Sequence, residues 1–295
     1  MPSPYGEARR IAYFRLICQQ AEKYLPCEIY FLIDQILRES EQMREALQRY
    51  KRITGRMRTR NVCKNYLTFM SWLDLLKVEG DLVSKNANTV FFATLESGKG
   101  FELSTDEKLA YFIHLWSRIS ELQKVVNFLT RSSPTPSGKL NSLGISEHYG
   151  ESYLEWLVDL ALTNPTKREW GAFILTEAGA AVKEQGKDFE SSCRTYASAV
   201  LGKSIRSDGE ANDQLIWHET TKLVRELSVH IRSPVDPSLY AVLPVLLHLQ
   251  IRLLKKSDTF LTRRKVISLA ERAAAPHEAI FTWDSAYKTG FLRLR

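Results

Sequence analysis

The amino-acid sequence predicts a mainly α-helical fold with small β-hairpins, arranged as units that are joined by long helices. Apolar residues recur at helical spacing through most of the 295 residues. Short apolar runs beside glycine-containing or proline-containing turns predict the hairpins. A similar strand-to-helix junction occurs at Gly100–Ser104 and Ala172–Thr176, and a third apolar segment, Gly290–Leu294, lies near the last residue. These features divide the chain into three units, at residues 1–104, 105–201 and 202–295.

Composition and charge restrict the class of protein. Hydrophobic residues make up 44% of the chain and charged residues 25%, which predicts a packed core with a hydrated surface. The net charge of +7 favours an anionic partner such as nucleic acid. The four cysteines form neither a CxxC motif nor a Cys/His cluster, which predicts buried free thiols. The first residues lack an apolar signal region and no apolar run reaches membrane-spanning length, so we expect a cytoplasmic protein without membrane contact.

The first unit is predicted to contain helices followed by a hairpin. The helices are expected at residues 7–25, 27–50 and 59–77. The apolar run Val90–Leu95 and the segment Gly100–Ser104 are expected to pair as strands around a Ser97–Gly100 turn. Ser104 and Glu107 have the spacing of a capping box, which predicts that a new helix begins there.

The other two units are predicted to repeat this plan. A long helix at 104–130 and a polar, proline-containing linker at 131–138 connect the first unit to the second. The second unit is expected to contain a helix at 146–162, a wing tip at 163–168, a strand at 171–175 and a helix at 176–201. The third is expected to contain helices at 213–231, 238–256 and 262–275, then a hairpin pairing 279–283 with 291–294.

The junctions Gly100–Glu107 and Phe173–Gly179 resemble the wing endings of the winged-helix superfamily. The resemblance covers roughly residues 57–107 and 146–182, and more weakly 259–295. It implies tandem winged-helix units, in which the third helix enters the DNA major groove and the wing tip contacts the backbone or the minor groove. Many members of the superfamily bind DNA, and a sizeable minority contact other proteins instead.

The residues expected to contact double-stranded DNA are cationic or amide side chains on the third helices, on the wings and beside them. The candidates are Arg52, Arg56, Arg58, Arg60, Lys64, Asn65 and Lys99 in the first unit, Lys167 and Arg168 in the second, and Arg263, Arg264, Lys265 and Lys288 in the third. A simple solvated surface remains the alternative for these groups. The second unit's helix is acidic, which favours a protein-contact module or a spacer; its carboxylates are Glu147, Glu151, Glu155 and Asp159.

Signals of catalysis are few. Gly98-Lys99 lacks the frame of a phosphate-binding loop, and His218-Glu219 lacks the second histidine of a zinc-protease helix. We therefore predict no cofactor and no metal site, and a non-catalytic DNA-binding protein, such as a regulator or a DNA-recognition subunit. An interaction subunit that docks protein partners or forms a homo-oligomer is the main alternative. An enzyme with dispersed active-site residues is a third.

Overall fold

The structure, a computed structural model, describes residues 10–45, 59–166, 171–207, 213–231, 242–284 and 289–294. These residues are mainly helical and carry small, mostly antiparallel sheets, which confirms the predicted class of a mainly α fold with small β elements. Over the same ranges, no helix has both the length and the apolar character needed to cross a membrane.

The first unit alternates helices with very short strands. Its elements are α1 (Ile11–Tyr24), β1 (Cys27–Glu28), α2 (Ile29–Glu45), α3 (Arg60–Trp72), β2 (Lys77–Glu79) and β3 (Leu82–Ser84). The strands form one antiparallel sheet in the order β1-β3-β2, with Val83 opposite both Cys27 and Val78. The three predicted helices are confirmed within the described residues.

The predicted hairpin at residues 90–104 is wrong. Its first half belongs to a helix, α4 (Ala87–Thr94), which begins at a capping box formed by Asn86 and Thr89. Phe91 and Phe92 are both buried, whereas adjacent residues of a half-exposed strand would point to opposite faces. A short apolar run does not distinguish a buried helix from a buried strand, and here packing against α1 decides for the helix.

The second half of that segment is a loop held by one carboxylate. The predicted capping box is confirmed: Glu107 accepts the Ser104 amide at 2.8 Å, and the Ser104 hydroxyl accepts the Glu107 amide at 3.1 Å. Glu107 also accepts the Gly98 amide at 2.8 Å and the Arg15 guanidinium at 3.0 Å. The Arg15 and Glu107 side chains are 6% and 1% exposed, so the loop is fastened to α1 by a buried ion pair.

The described part of the second unit contains helices, one 3-10 helix and three short strands. Its elements are α5 (Thr105–Arg118), α6 (Ser120–Phe128), β4 (Thr135–Pro136), a 3-10 helix (Ser137–Leu143), α7 (Glu147–Asp159), β5 (Thr163–Pro165), β6 (Ala172–Leu175), α8 (Glu177–Glu184) and α9 (Phe189–Leu201). The sheet order is β4-β6-β5. Two predicted long helices are each divided. Ile119 is extended between α5 and α6, and Gly186, at a φ of +63°, with the Asp188 cap separates α8 from α9.

The third unit is helical with a closing hairpin. Its elements are β7 (Arg206–Ser207), α10 (Asp213–Ile231), α11 (Val242–Ser257), β8 (Thr259–Phe260), α12 (Arg263–Ala274), β9 (Ala279–Asp284) and β10 (Thr289–Leu294). β7 and β8 pair in parallel, which the sequence did not indicate. The predicted hairpin is confirmed, with Phe281 opposite Leu292. The Thr262 hydroxyl caps α12 as expected.

The first two units share one core. Trp156 of α7 stacks on Phe69 of α3 at a centroid distance of 5.3 Å and meets Phe14 of α1 at 5.9 Å. Trp156 is fully buried, so α7 lies against the first unit rather than in solvent. Cys18, Cys63 and Cys193 are buried free thiols, as predicted, whereas Cys27 is half-buried.

Candidate nucleic-acid interface

Helix α3 has one buried face and one polar face. Its N-cap, Thr59, accepts the Val62 amide at 3.3 Å. Apolar residues at helical spacing are buried against α1 and α2; they are Cys63, Tyr66, Leu67, Phe69 and Met70. The residues between them are exposed because they fall on the opposite side of the helix; they are Arg60, Asn61, Lys64 and Thr68. Two of the residues predicted to contact DNA, Arg60 and Lys64, therefore lie on one solvent-facing surface.

The cations of this face contact α2. Arg60 makes a two-point contact with Asp34, through Nη2 at 2.9 Å and Nε at 3.0 Å. The two side chains are 64% and 45% exposed, so this ion pair adds at most about 1 kcal/mol to stability and can be exchanged for another anion. The Lys64 ammonium lies 5.9 Å from the centre of the exposed Tyr30 ring. Asn65, another residue predicted to contact DNA, is half-buried at the edge of this polar face.

The hairpin beside α3 is not the one that the sequence predicted. The hairpin β2–β3 follows α3 directly, and the Ser71 hydroxyl accepts the Val78 amide at 3.3 Å. Its turn contains Gly80, at a φ of +60°, between the exposed carboxylates Glu79 and Asp81. Valines on either side of a Gly-Asp turn are a hairpin signal that sequence reasoning missed. The tip is acidic, and Lys77, the nearby cation, pairs with Glu79 at 2.9 Å.

Lys99 is consequently not a wing residue. It is exposed, in the turn between α4 and α5 that Glu107 fastens. Its predicted role depended on the hairpin at 90–104, which the structure replaces with a helix and a loop.

The third-unit cluster lies in the first turn of α12, where part of its charge is matched. The Arg263 amide donates to the Glu190 carboxylate at 2.9 Å, and the Lys265 ammonium pairs with Asp213 at 3.2 Å. Arg264 is exposed.

Six of the predicted residues lie outside the part of the chain that the structure describes; they are Arg52, Arg56, Arg58, Lys167, Arg168 and Lys288.

The predicted acidic face of α7 is only partly present. Glu147 is exposed and Glu151 and Glu155 are half-buried, but the Asp159 side chain is 2% exposed. Asp159 accepts the Arg10 guanidinium at 2.8 Å and the Ile11 amide at 2.9 Å, so it caps α1. Burial raises the pKa of the Asp159 carboxyl to about 6, against the opposing effect of the Arg10 charge. Asp159 was counted among the carboxylates that make this helix acidic, but its charge is buried in an ion pair with Arg10 at the end of α7.

Within the described ranges, no group of three or more His, Cys, Asp or Glu side chains is arranged to hold a metal ion. Comparison of the chain with protein-family models, with curated proteins and with solved structures finds no match. The residues and their geometry are therefore the grounds on which function can be argued.

Proposed function

We propose that this protein binds double-stranded DNA through winged-helix units, with α3 as the principal recognition helix. The observation that carries the proposal is the polar face of α3, which joins cationic and amide side chains on an exposed helix next to a hairpin. Arg, Lys and Asn are the side chains that pair with phosphates and with base edges in the major groove.

The order of elements supports the winged-helix assignment. The first unit runs in the order helix, short strand, two helices and two further strands. Its three strands form a sheet in which the first strand pairs with the last. The second unit has the same order from α6 to β6, with a 3-10 helix in the place of α2. In that unit the recognition-helix position is occupied by α7, which is packed against α1 and α3. The second unit therefore serves as a packing module, and DNA contact falls to the first unit and to α12.

The acidic wing tip shapes the expected binding mode. Glu79 and Asp81 repel phosphates, so the β2–β3 turn is held away from the backbone while the Arg60 end of α3 approaches it. Recognition then depends on the helix more than on the wing.

Duplex binding measured across a range of salt concentrations tests the proposal. For a mixed-sequence duplex we expect the doubly substituted variant Arg60→Gln, Lys64→Gln to bind more weakly. If both groups contact phosphates, it should also reduce the slope of log K against log salt by roughly 2. Lys124→Gln is the control, since Lys124 is an exposed lysine on α6, away from α3. Equal affinity of the double variant and of the wild-type protein at low salt would remove α3 from the proposal.

Docking of a protein partner is the second candidate, and an exposed apolar group favours it. Tyr30, Phe31 and Leu82 are 48%, 46% and 49% exposed, on the start of α2 and on β3. Glu28 of β1 pairs with Leu82, which brings these two elements together. Sedimentation of the protein with and without duplex distinguishes the candidates. Docking is favoured if the protein forms a stable oligomer, if Phe31→Ser dissociates that oligomer, and if no complex with DNA is seen.

A further inference from the structure

A cleft of about 600 Å³ lies where the second and third units meet. Its walls come from the end of α5, the start of α6, the α8–α9 turn, α11 and the segment from β8 into α12. A volume of this size is in the range of about 300–1,000 Å³ that small-molecule sites occupy. The cleft is separate from the polar face of α3.

One wall of the cleft is apolar and flat. Trp116 is 3% exposed, and its ring stacks on Phe112 at 5.0 Å, which in turn stacks on Tyr196 at 3.9 Å. Phe260 and Leu261 contribute further apolar surface and are also buried. Gln250 fixes this wall because its side-chain amide accepts the Leu261 amide at 2.9 Å and donates to the Leu261 carbonyl. These contacts hold the apolar wall in place without a ligand.

Two residues that line the cleft carry buried donors that lack acceptors. The indole N–H of Trp116 and the Nε–H of Arg118 are both buried, and neither has a hydrogen-bond acceptor among the described residues. Arg118 keeps its other contact, an ion pair from Nη2 to Asp74 at 3.1 Å. An unsatisfied buried donor costs about 1–3 kcal/mol, so a ligand that brings an acceptor to either donor would recover part of that cost.

The charges around the cleft favour an anion over a cation. The lining holds Arg118, Lys187 and Arg263 against Asp188 and Glu190. Each carboxylate accepts an amide at a helix start: Asp188 accepts the Ser191 amide at 3.1 Å, and Glu190 accepts the Arg263 amide at 2.9 Å. Lys187 is an exposed residue of the lining. The charged residues of the lining thus include one more cation than anion, and Lys187 supplies a positive charge that an anionic ligand can meet.

We propose that this cleft binds a small aromatic anion, with its ring against Trp116 and Phe260 and its carboxylate, sulfonate or phosphate group near Lys187 and the Arg118 donor. The site does not depend on the proposed DNA contact at α3.

Three probes separate the parts of this proposal: naphthalene-1-sulfonate, the neutral naphthalene-1-methanol and inorganic sulfate. Their binding to the full chain is followed through the indole N–H resonances of its six tryptophans in a ¹⁵N-labelled sample. We expect the sulfonate to shift the Trp116 resonance and to bind about tenfold tighter than the alcohol, a difference of about 1.4 kcal/mol. Sulfate alone should bind more weakly than the sulfonate. An unmoved Trp116 resonance, or equal affinity for the sulfonate and the alcohol, overturns the proposal.

Substitutions locate the two parts of the site. Lys187→Gln should weaken sulfonate binding severalfold, whereas Lys124→Gln, an exposed lysine outside the lining, should leave it unchanged. Trp116→Phe identifies the Trp116 resonance and should also weaken binding, because a smaller aromatic ring replaces the indole and the N–H donor is lost. If Trp116→Phe lowers the thermal midpoint too far for binding to be measured, the Lys187→Gln and Lys124→Gln pair decides alone. Equal affinities for those two variants refute the anion site.

Discussion

Replacing Glu107 by Ala removes the carboxylate on which the loop between α4 and α5 depends. In the wild-type protein this group accepts Arg15 at 3.0 Å and the amides of Gly98 and Ser104, each at 2.8 Å. The substitution therefore leaves one buried guanidinium without its partner and two amides without acceptors. Arg15 keeps only carbonyl contacts, to Glu102 at 3.2 Å and to Gly100.

The size of the effect follows from these contacts. Removing one partner of a buried ion pair costs about 3–5 kcal/mol, because the other charge stays buried and uncompensated. Each unsatisfied amide adds about 1–3 kcal/mol where water is excluded, but Gly98 and Ser104 are half-buried and water can replace part of this loss. We expect Glu107→Ala to lower the free energy of unfolding by about 4 kcal/mol. Glu107→Gln, which keeps one acceptor oxygen, should cost less.

Urea unfolding followed by circular dichroism measures this difference. The matched control is Glu121→Gln on α6, whose partner Lys124 is 3.7 Å away and 54% exposed. Glu121 is 24% exposed, and an i,i+3 pair with this much solvent contact contributes about 0.5 kcal/mol or less, so the control should unfold almost as the wild-type protein does. A loss below about 1 kcal/mol for Glu107→Ala, at an unchanged m-value, would refute the argument that this buried carboxylate holds the loop.

Three further outcomes are expected, each measured as a difference in unfolding free energy from the wild-type protein. Gly98→Ala should cost about 1–3 kcal/mol, because the added Cβ would overlap the Glu102 carbonyl oxygen. Gly138→Ala should be nearly neutral, because its added Cβ would lie 3.7 Å from the nearest atom. Equal costs for the two variants would contradict the predicted overlap at Gly98. Burial raises the pKa of Asp159 to about 6, above its unfolded value, so this group makes stability fall as pH rises from about 4 to 6. Over that interval, the free energy of unfolding of the wild-type protein should fall by on the order of 3 kcal/mol relative to that of Asp159→Asn. A difference between the two proteins that stays constant with pH would refute this effect of Asp159. Burial holds the pKa of His114 well below its usual value, so the stability that the neutral imidazole contributes is lost as pH falls below about 6.5. This loss of unfolding free energy at low pH should be absent in His114→Gln.

Local signals in the sequence placed many helix starts correctly. Ser104, Thr176 and Thr262 each cap a helix as predicted, because a hydroxyl that accepts an amide two or three residues later acts within one turn of chain. The polar face of α3 was found in the same way, since the spacing of Arg60 and Lys64 places them on one side of any helix.

Features that depend on distant partners were mispredicted. The run at Val90–Leu95 fits a strand or a helix equally well, and only its burial between α1 and α11 makes it α4. The spacing of Asp159 places it with the other carboxylates of α7, but in the fold it is buried in an ion pair with Arg10, 149 residues away. The cleft beside Trp116 could not be predicted at all, because its walls come from segments that are far apart in the chain.

The sequence by itself determined the mainly helical class, most helix starts and the polar face of α3, because each of these follows from spacing within a few residues. The tertiary structure alone decided which apolar run forms the hairpin beside α3, which carboxylates are buried and where a cleft is left between units. Burial sets these outcomes, since the cost of an unpaired charge or of an exposed apolar face depends on what packs against it. Gly100–Ser104 illustrates the division. Its capping hydroxyl can be recognised from the sequence. The buried ion pair of Arg15 and Glu107, which holds this loop against α1, appears only in the fold.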